Sequence, residues 1–267
     1  QEFVTLHKNI GSLVKLLTEI SRLKKDQINN LPQLKMCLKK LEGILGQFNR
    51  GIDQYEALRH WIDTYKRDLD AVEEQVRMRF GIELEQELKK IGLSLSGQYP
   101  ELRAGFFTIE LDFAKWRVTL WYGPKQERLD RCHLSSVEVA NYVDKVRQQL
   151  GSHMSSEDEF LKKLEEAYFR TAGRERGTPV PIIRVLPELA YLLQSPRFYQ
   201  DSKKEDYKSY SRADFSYDLF QVRHEKRLHL TVATRAYTKQ RQDFLWVPDD
   251  ESGRGTTYSH LQFREAT

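Results

Sequence analysis

The chain has 267 residues, 31% of them charged and 39% hydrophobic, which suffices for two folded domains and is too apolar for a disordered protein. Its formal net charge of +4 permits a nucleic-acid partner without requiring one. No apolar run approaches the roughly 18–20 residues of a membrane span, and the two cysteines, Cys37 and Cys132, have no metal-binding spacing. We therefore expect a cytoplasmic protein with no membrane partner and no cofactor.

Three runs of heptad-spaced apolar residues dominate the first third of the chain. Such spacing places a narrow apolar stripe on each helix that must be buried against another helix, so it predicts a bundle or coiled coil. The Asn29–Pro32 turn implies that the first two helices are antiparallel, and the third helix needs these helices or a second copy as its partner. The stripe residues are Phe3, Leu6, Ile10, Leu13, Leu17, Ile20, Leu31, Leu34, Leu38, Leu41, Leu45, Phe48, Ile52, Tyr55, Ile62, Tyr65, Leu69, Val72 and Val76. We assign residues 1–92 to an antiparallel helical hairpin or coiled coil, with helices over about 3–27, 31–48 and 52–91.

Residues 93–150 are predicted to form a small α+β cap. Residues 93–100 read as a connector, and apolar residues then alternate with polar ones on both sides of a turn at 114–115. Pairing the strands around that turn places Asp112 opposite Arg117, a favourable cross-strand pair. Another short strand is expected within 128–132, followed by a helix that Ser135 begins, with Glu138 three residues later.

Residues 151–154 have the sequence Gly-Ser-His-Met, which is what remains when a common affinity tag is removed by thrombin. This tetrapeptide predicts an engineered junction between two segments, and the alternative is a natural Gly-Ser loop. A junction would mean that the two halves are separate chains or parts of a larger protein.

Residues 155–267 are predicted to contain three helices followed by three strands. Ser156 begins the first helix, and residues 182–193 form a second helix or two short ones, because Pro187 interrupts them. A polar, lysine-rich insertion covers residues 200–209, and Ser211 with Asp214 then begins the third helix. Strands are expected over residues 228–233, 244–247 and 258–263. The apolar positions of the first and third helices are Phe160, Leu161, Leu164, Ala167, Tyr168, Phe215, Leu219 and Val222.

The order of these elements resembles that of winged helix-turn-helix domains. The resemblance depends on the capped helix at Ser211, the strand Leu-His-Leu-Thr-Val-Ala, and the hairpin strands Phe-Leu-Trp-Val and Tyr-Ser-His-Leu-Gln-Phe. It covers the second half only and implies duplex DNA binding, with the third helix in the major groove and nearby loops on phosphates. The expected fold class is therefore α+β and mainly helical: a helical hairpin or coiled coil with a β-hairpin cap, then a winged helix.

Basic residues cluster on the third helix and in the loop after the following strand. Cations on one surface neutralise phosphates and release counterions, so we predict a DNA-facing surface made of this helix and residues 234–242. The distal loop contains Asp249, Asp250 and Glu251, which would repel phosphate. The alternatives are a solvated basic face and a winged helix that binds a protein. The predicted DNA-binding residues are Arg212, Arg223, His224, Lys226, Arg227, Arg235, Lys239 and Arg241.

We find no motif that indicates catalysis. Glu110, Asp112 and Lys115 resemble part of a metal-dependent nuclease site, although a solvated strand face is the ordinary interpretation. The seven histidines form no HExxH spacing, and no phosphate-binding glycine loop follows a strand. Trp121 falls on the polar face of the hairpin and is a candidate contact residue.

These patterns predict a non-catalytic, DNA-associated scaffold or regulatory subunit, with no catalytic, cofactor-binding or metal-binding residues. It would oligomerise or dock through its coiled-coil helices and bind duplex DNA through the winged helix. One alternative is a protein-interaction subunit of a larger complex, such as an ATPase or defence complex. The other is a fragment of a nuclease. Prokaryotic transcription control, chromosome organisation and genome defence are all compatible settings.

Overall fold

The computed structural model describes residues 2–47, 55–153, 156–173 and 177–264, with side chains from residue 7 onward. Helices predominate in these ranges, and two antiparallel sheets accompany them, one in each half. The predicted mixed α+β class is confirmed. Within the same ranges, none of the helices has the length and apolar character needed to cross a membrane.

Three helices form the first part of the chain: α1 (Glu2–Leu23), α2 (Leu31–Leu45) and α3 (Tyr55–Lys90). Asn9 near the start of α1 donates a hydrogen bond to Gln47 beyond the end of α2, so these two helices are antiparallel as predicted. Pro32 lies in the first turn of α2, where its missing N–H costs nothing. The predicted seam positions Phe48 and Ile52, and the side chains of Phe3 and Leu6, lie outside the described residues.

The apolar stripe of α3 is covered by the chain's own elements. Leu69 of α3 is fully buried with the α2 seam, and Lys35 of α2 donates to Asp70 of α3 at 2.6 Å. Further along α3, Phe80 contacts the ring of Phe113 edge-on in the cap, with the ring centroids 6.2 Å apart. The third helix therefore needs no second copy to bury this stripe.

The cap contains a five-stranded antiparallel meander and one helix. Its strands are β1 (Leu95–Gln98), β2 (Glu101–Ala104), β3 (Phe107–Asp112), β4 (Arg117–Tyr122) and β5 (Glu127–His133), paired in sequence order. The predicted hairpin register is confirmed, with Leu111 opposite Val118 and Asp112 opposite Arg117. The helix α4 (Ser136–Gln149) begins at Ser135, whose side chain accepts the Glu138 N–H.

The prediction of a connector at residues 93–100 is wrong, because β1 lies there and pairs with β2. The sequence Leu-Ser-Gly-Gln shows no apolar alternation, because most of β1 is exposed and needs no apolar face. Within the described residues β1 pairs with β2 alone. Gly97 has φ of +92°, and a Cβ there would lie 2.7 Å from the carbonyl oxygen of Glu101, so the close approach of the two strands requires glycine. A strand with this composition is recognisable only through its partner.

The second half begins with α5 (Glu157–Ala172), β6 (Val180–Pro181), α6 (Ile182–Leu192) and α7 (Pro196–Gln200). Pro187 lies inside α6, which is a single continuous helix, so of the two alternatives the longer helix is correct. The proline removes only one intrahelical hydrogen bond, and Ile182, Val185 and Leu189 anchor the buried face on both sides of it. The predicted polar insertion is preceded by α7 and contains a 3-10 turn at residues 204–206.

The second half ends with α8 (Arg212–Val222), β7 (Leu228–Val232), β8 (Leu245–Pro248) and β9 (Gly255–Phe263). The long strand β9 pairs with β6, β7 and β8, giving the order β6-β9-β7 with β8 also on β9. Two hydrophobic cores result, one per half, and Ala213 and Trp246 of the second half belong to the core of the first. The two halves therefore meet at α8 and β8.

Candidate nucleic-acid interface

The helix α8 lies between the two halves, and all of its residues from Arg212 to Val222 are buried or half-buried. One side, with Phe215 and Leu219, is fully buried in the core of the second half. On the other side, Tyr217 and Phe220 contact the ring of Phe106 in the cap edge-on, at centroid distances of 5.7 and 5.5 Å. Among the described residues, elements of both halves therefore cover the two sides of α8, and none of its residues is fully exposed for a DNA groove.

The composition of α8 is also unlike that of a groove-reading helix. The side that contacts the cap is small and aromatic, and the helix contains two acids, Asp214 and Asp218, against one cation, Arg212. Acidic side chains repel phosphate, and buried aromatic side chains are typical of protein–protein contacts. We therefore remove α8 from the DNA-facing surface that the sequence predicts.

Arg212 lies in the contact between the two halves and is neutralised there. Its guanidinium forms an ion pair with Glu127 of β5 and donates to the carbonyl oxygen of Phe244 at 2.6 Å. Its side chain is only 15% exposed, and this burial lowers the pKa of Arg212 from its ordinary value. Arg212 is therefore not available to a phosphate, and Glu127, which nothing in the sequence singled out, is its partner.

Three of the four other basic residues near the end of α8 have partners in their own half. Arg223 donates to the carbonyl oxygen of Pro248 at 3.2 Å and lies over the ring of Phe220. Arg227 is 3.4 Å from a carboxylate oxygen of Glu165 and 3.4 Å from one of Glu225. His224 lies 3.3 Å from Glu157, while Lys226 is exposed. Carboxylates thus neutralise Arg227, whereas Arg223 is held by carbonyl oxygens and Lys226 has no ion pair within the described residues.

Residues 234–242, called the basic loop below, form the most accessible basic segment that the sequence predicts. Arg235 and Lys239 are exposed, and neither has a side-chain ion pair or hydrogen bond within the described part of the chain. Arg241 is 59% exposed although it forms an ion pair with Glu127. The sequence of the loop, Thr-Arg-Ala-Tyr-Thr-Lys-Gln-Arg-Gln, contains three cations and no carboxylate.

The basic loop is held in place at both ends. The ring of Tyr237 lies edge-on to His260 of β9 at 5.3 Å, and Ala233 donates its N–H to the Thr257 carbonyl oxygen at 2.8 Å. At the other end, Arg241 is anchored to the first half through Glu127. Two 3-10 turns, at residues 237–239 and 241–243, give the loop regular local structure. The three cations are therefore presented from an organised surface segment.

The acidic hairpin tip at residues 249–254 serves the protein's own structure. Asp250 lies 2.6 Å from Arg254, and its pKa is held below the ordinary value first by the Ser252 hydroxyl and then by Arg254. A Cβ at Gly253 would lie 2.0 Å from the carbonyl oxygen of Gly105, so the tip lies directly against the cap. That phosphate avoids this tip stays a prediction. The position of the tip against the cap agrees with this prediction.

The carboxylates that resemble a nuclease fragment are engaged by lysines. Glu110 accepts hydrogen bonds from Lys125 at 2.6 Å and from Trp121 Nε1 at 2.9 Å. The Lys125 hydrogen bond is the main cause of a pKa of Glu110 below its ordinary value. Asp112 accepts from Lys115 at 3.0 Å, and the described residues contain no group of three or more potential metal ligands. This face of the sheet is thus an ion-pair network, in which the indole N–H of Trp121 takes part.

Comparisons of the chain with protein-family models, curated proteins and solved structures gave no match in any of the three. The winged-helix interpretation therefore stays a prediction that depends on the order of elements in the second half.

Proposed function

We propose that the chain is a non-catalytic, DNA-associated scaffold subunit that contacts duplex phosphates through the basic loop. The observation that supports this proposal is the exposure of Arg235 and Lys239, without acidic partners in the described residues, beside the half-engaged Arg241. Phosphate contacts position a protein on DNA but carry no sequence information. The proposed binding is therefore independent of base sequence and sensitive to salt.

The order of elements in the second half supports the winged-helix part of the proposal. A short strand, β6, lies between the first two helices and pairs with β9, and β9 also pairs with β7. The basic loop joins β7 to β8 and lies next to the β8–β9 hairpin, which is the wing in this interpretation, and loops near the wing commonly lie against the phosphate backbone. The proposed contact thus uses this loop and leaves the third helix to its protein contacts.

Salt-dependent binding tests the proposal. Fluorescence anisotropy with a mixed-sequence duplex should show an affinity that falls roughly 40-fold between about 50 and 200 mM salt for three phosphate contacts. Arg235→Glu with Lys239→Glu should remove most of the binding. The matched control is Lys204→Glu with Lys208→Glu, two exposed lysines of the same half, which should change affinity far less. Equal losses in both double variants, or no binding at the lower salt, would contradict the proposal.

The scaffold role is proposed to use α1. Ile10 and Val14 are 46% and 58% exposed and share one face with the half-buried Leu17, so part of the apolar stripe remains uncovered. A helix with an uncovered apolar stripe is suited to docking against another helix. On α3 the heptad stripe is covered by α2 and the cap, and the exposed Met78 and Ile82 lie off that stripe, so α3 is not proposed as the docking helix.

Multi-angle light scattering tests whether a second copy docks on α1. We expect a mass above that of one chain, which falls to that of one chain in Ile10→Glu with Val14→Glu. Met78→Glu with Ile82→Glu is the matched control, because these α3 residues are equally apolar and 65% and 61% exposed. A single-chain mass for the unaltered protein would mean that α1 does not self-associate.

The protein-interaction subunit remains the second candidate, because the cap side of α8 carries Tyr217 and Phe220, aromatic side chains of the kind typical of protein–protein contacts. In that case the charge reversals in the basic loop would leave partner binding intact while DNA binding is absent throughout. Affinity capture with the Arg235→Glu, Lys239→Glu variant beside the unaltered chain distinguishes the two candidates.

A further inference from the structure

The two halves of the chain contact each other through a continuous surface, called the half–half interface. Aromatic rings form its centre and an ionic cluster lies beside them, which is the usual composition of a specific protein–protein interface. The first half contributes Phe106, Tyr122, Gly123 and Glu127, and the second half contributes Arg212, Ser216, Tyr217, Phe220, Arg241 and Trp246.

Trp246 is the central anchor of this interface. Its side chain is 4% exposed, and its indole lies edge-on to the ring of Tyr122, with the centroids 5.5 Å apart. A Cβ at Gly123 would lie 2.6 Å from the indole, and one at Gly255 would lie 2.5 Å from it on the second half's own hairpin. The ring therefore fits a slot whose walls both require glycine, and one of those walls belongs to the other half. Such shape complementarity is specific to this pair of surfaces.

Glu127 provides the polar part of the interface. It is 7% exposed and belongs to the first half, yet both arginines that neutralise it, Arg212 and Arg241, come from the second half. A buried carboxylate without a counter-charge is strongly unfavourable. The arrangement thus stabilises the docked state and disfavours alternative placements of the two halves.

In the segment between the halves, Leu150 belongs to the core of the first half, Gly151 lies against Tyr217, and the ring of His153 lies edge-on to Tyr210. The helix α4 ends at Gln149 and α5 begins at Glu157, so no helix continues from one half into the other. Each half also has its own buried core, with Ile109, Val118 and Val143 in the first and Leu164 and Phe263 in the second. Most of each core therefore lies within its own half, and Ala213 and Trp246 complete the first core where the halves meet.

We propose that the half–half interface is self-sufficient, so that the halves remain bound to each other when the segment between α4 and α5 is cut. The cap sheet of the first half is then a binding surface for the second half as a separate protein, recognised by its Trp246 slot and by Glu127. This agrees with residues 151–154 as a junction between two segments, and it does not depend on DNA binding.

Cleavage of the full chain tests the proposal. A protease recognition sequence replaces residues 152–155, the folded protein is cut, and the products are separated by gel filtration at a concentration on the order of micromolar. We expect both pieces to elute together at the volume of the uncut protein. Separate elution of two folded pieces, each with its own helical circular dichroism spectrum, would overturn the proposal.

Substitutions at the anchors show which contacts hold the pieces together. Trp246→Ala should weaken the association of the cut pieces roughly 30-fold or more, as expected for a buried aromatic anchor. Trp61→Ala, on the exposed side of α3, is the matched control and should leave the association unchanged. Equal affinities for these two variants would contradict the assignment of the interface.

Glu127→Gln is a second variant, which leaves the aromatic packing in place and is used if Trp246→Ala does not fold before cleavage. It retains the side-chain shape and removes the charge that neutralises Arg212 and Arg241. We expect faster separation of the cut pieces than in the unaltered protein. An unchanged dissociation rate for Glu127→Gln would exclude the ionic cluster from the interface.

Discussion

At the scale of single residues, Asp218 is the most unusual group in the chain. It lies fully buried on α8, where the Tyr210 hydroxyl donates to its Oδ2 at 2.8 Å, while its Oδ1 has no partner among the described residues. Burial raises the pKa of Asp218 to about 7, which outweighs the opposite effect of the Tyr210 hydrogen bond. A carboxyl that prefers its neutral form at such a position couples the stability of α8 to pH.

The sign of this coupling follows from the raised pKa. The folded state holds the proton of Asp218 more tightly than the unfolded chain does. Protonation therefore contributes its full stabilisation of the fold below the ordinary pKa of Asp218, and this contribution is lost as the pH rises through about 7. The free energy of unfolding, measured by urea titration, should therefore be about 1–3 kcal/mol lower at pH 8 than at pH 5. Glu110 and Asp250 have lowered pKa values, so their effect on stability falls below pH 5 and has the opposite sign: their stabilisation is lost as the pH falls.

Asp218→Asn should remove most of the difference between pH 5 and pH 8, because an amide keeps an acceptor for Tyr210 and does not titrate. The control is Asp201→Asn, at an exposed site in the same half, which should keep the full pH dependence. The same pH dependence in both variants would show that another group is responsible.

At the scale of elements, α8 depends on the structure of its first turn. The Ser211 side chain accepts the Asp214 N–H at 3.2 Å, and Asp214 accepts the Ser211 N–H at 2.8 Å, so the predicted capping box is present. This capping box satisfies two backbone groups at the start of a helix that both halves contact. Weakening it should therefore affect the whole chain and not the helix end alone.

Ser211→Ala should lower the free energy of unfolding by about 1 kcal/mol, which is the usual contribution of a serine cap. Urea titration followed by circular dichroism measures the change. Ser209→Ala, an exposed position two residues earlier, should have almost no effect. A change of similar size in both variants would mean that the Ser211 capping box contributes no specific stabilisation.

At the scale of the whole molecule, the decisive feature is the location of α8 at the contact between two cores. This location removes α8 from the predicted DNA surface and leaves the basic loop as the exposed cationic segment. It also explains the composition of the helix, whose second face is small and aromatic because it contacts Phe106 and Tyr122. Arg235 and Lys239 of the proposed DNA contact lie outside the half–half interface, while Arg241 belongs to both surfaces.

The sequence by itself determined the periodic and local features. Heptad spacing predicted α1 to α3, strict alternation predicted the register of β3 with β4, and serine caps located the starts of α4, α5 and α8. These features are readable because each depends on residues a few positions apart, whose side-chain directions are set by the repeat of the backbone. The cluster of cations in the basic loop was likewise identified from neighbouring residues, whereas their exposure was not.

Only the tertiary structure decided which surfaces remain free. Glu127 is 85 residues from Arg212 and 114 from Arg241 along the chain, so no local pattern connects them. The slot for Trp246 likewise needs Gly123, in the turn after the distant strand β4, and β1 is defined by its pairing with β2. Whether a side chain is buried, neutralised or exposed depends on what packs against it, and for α8 that partner lies in the other half of the chain.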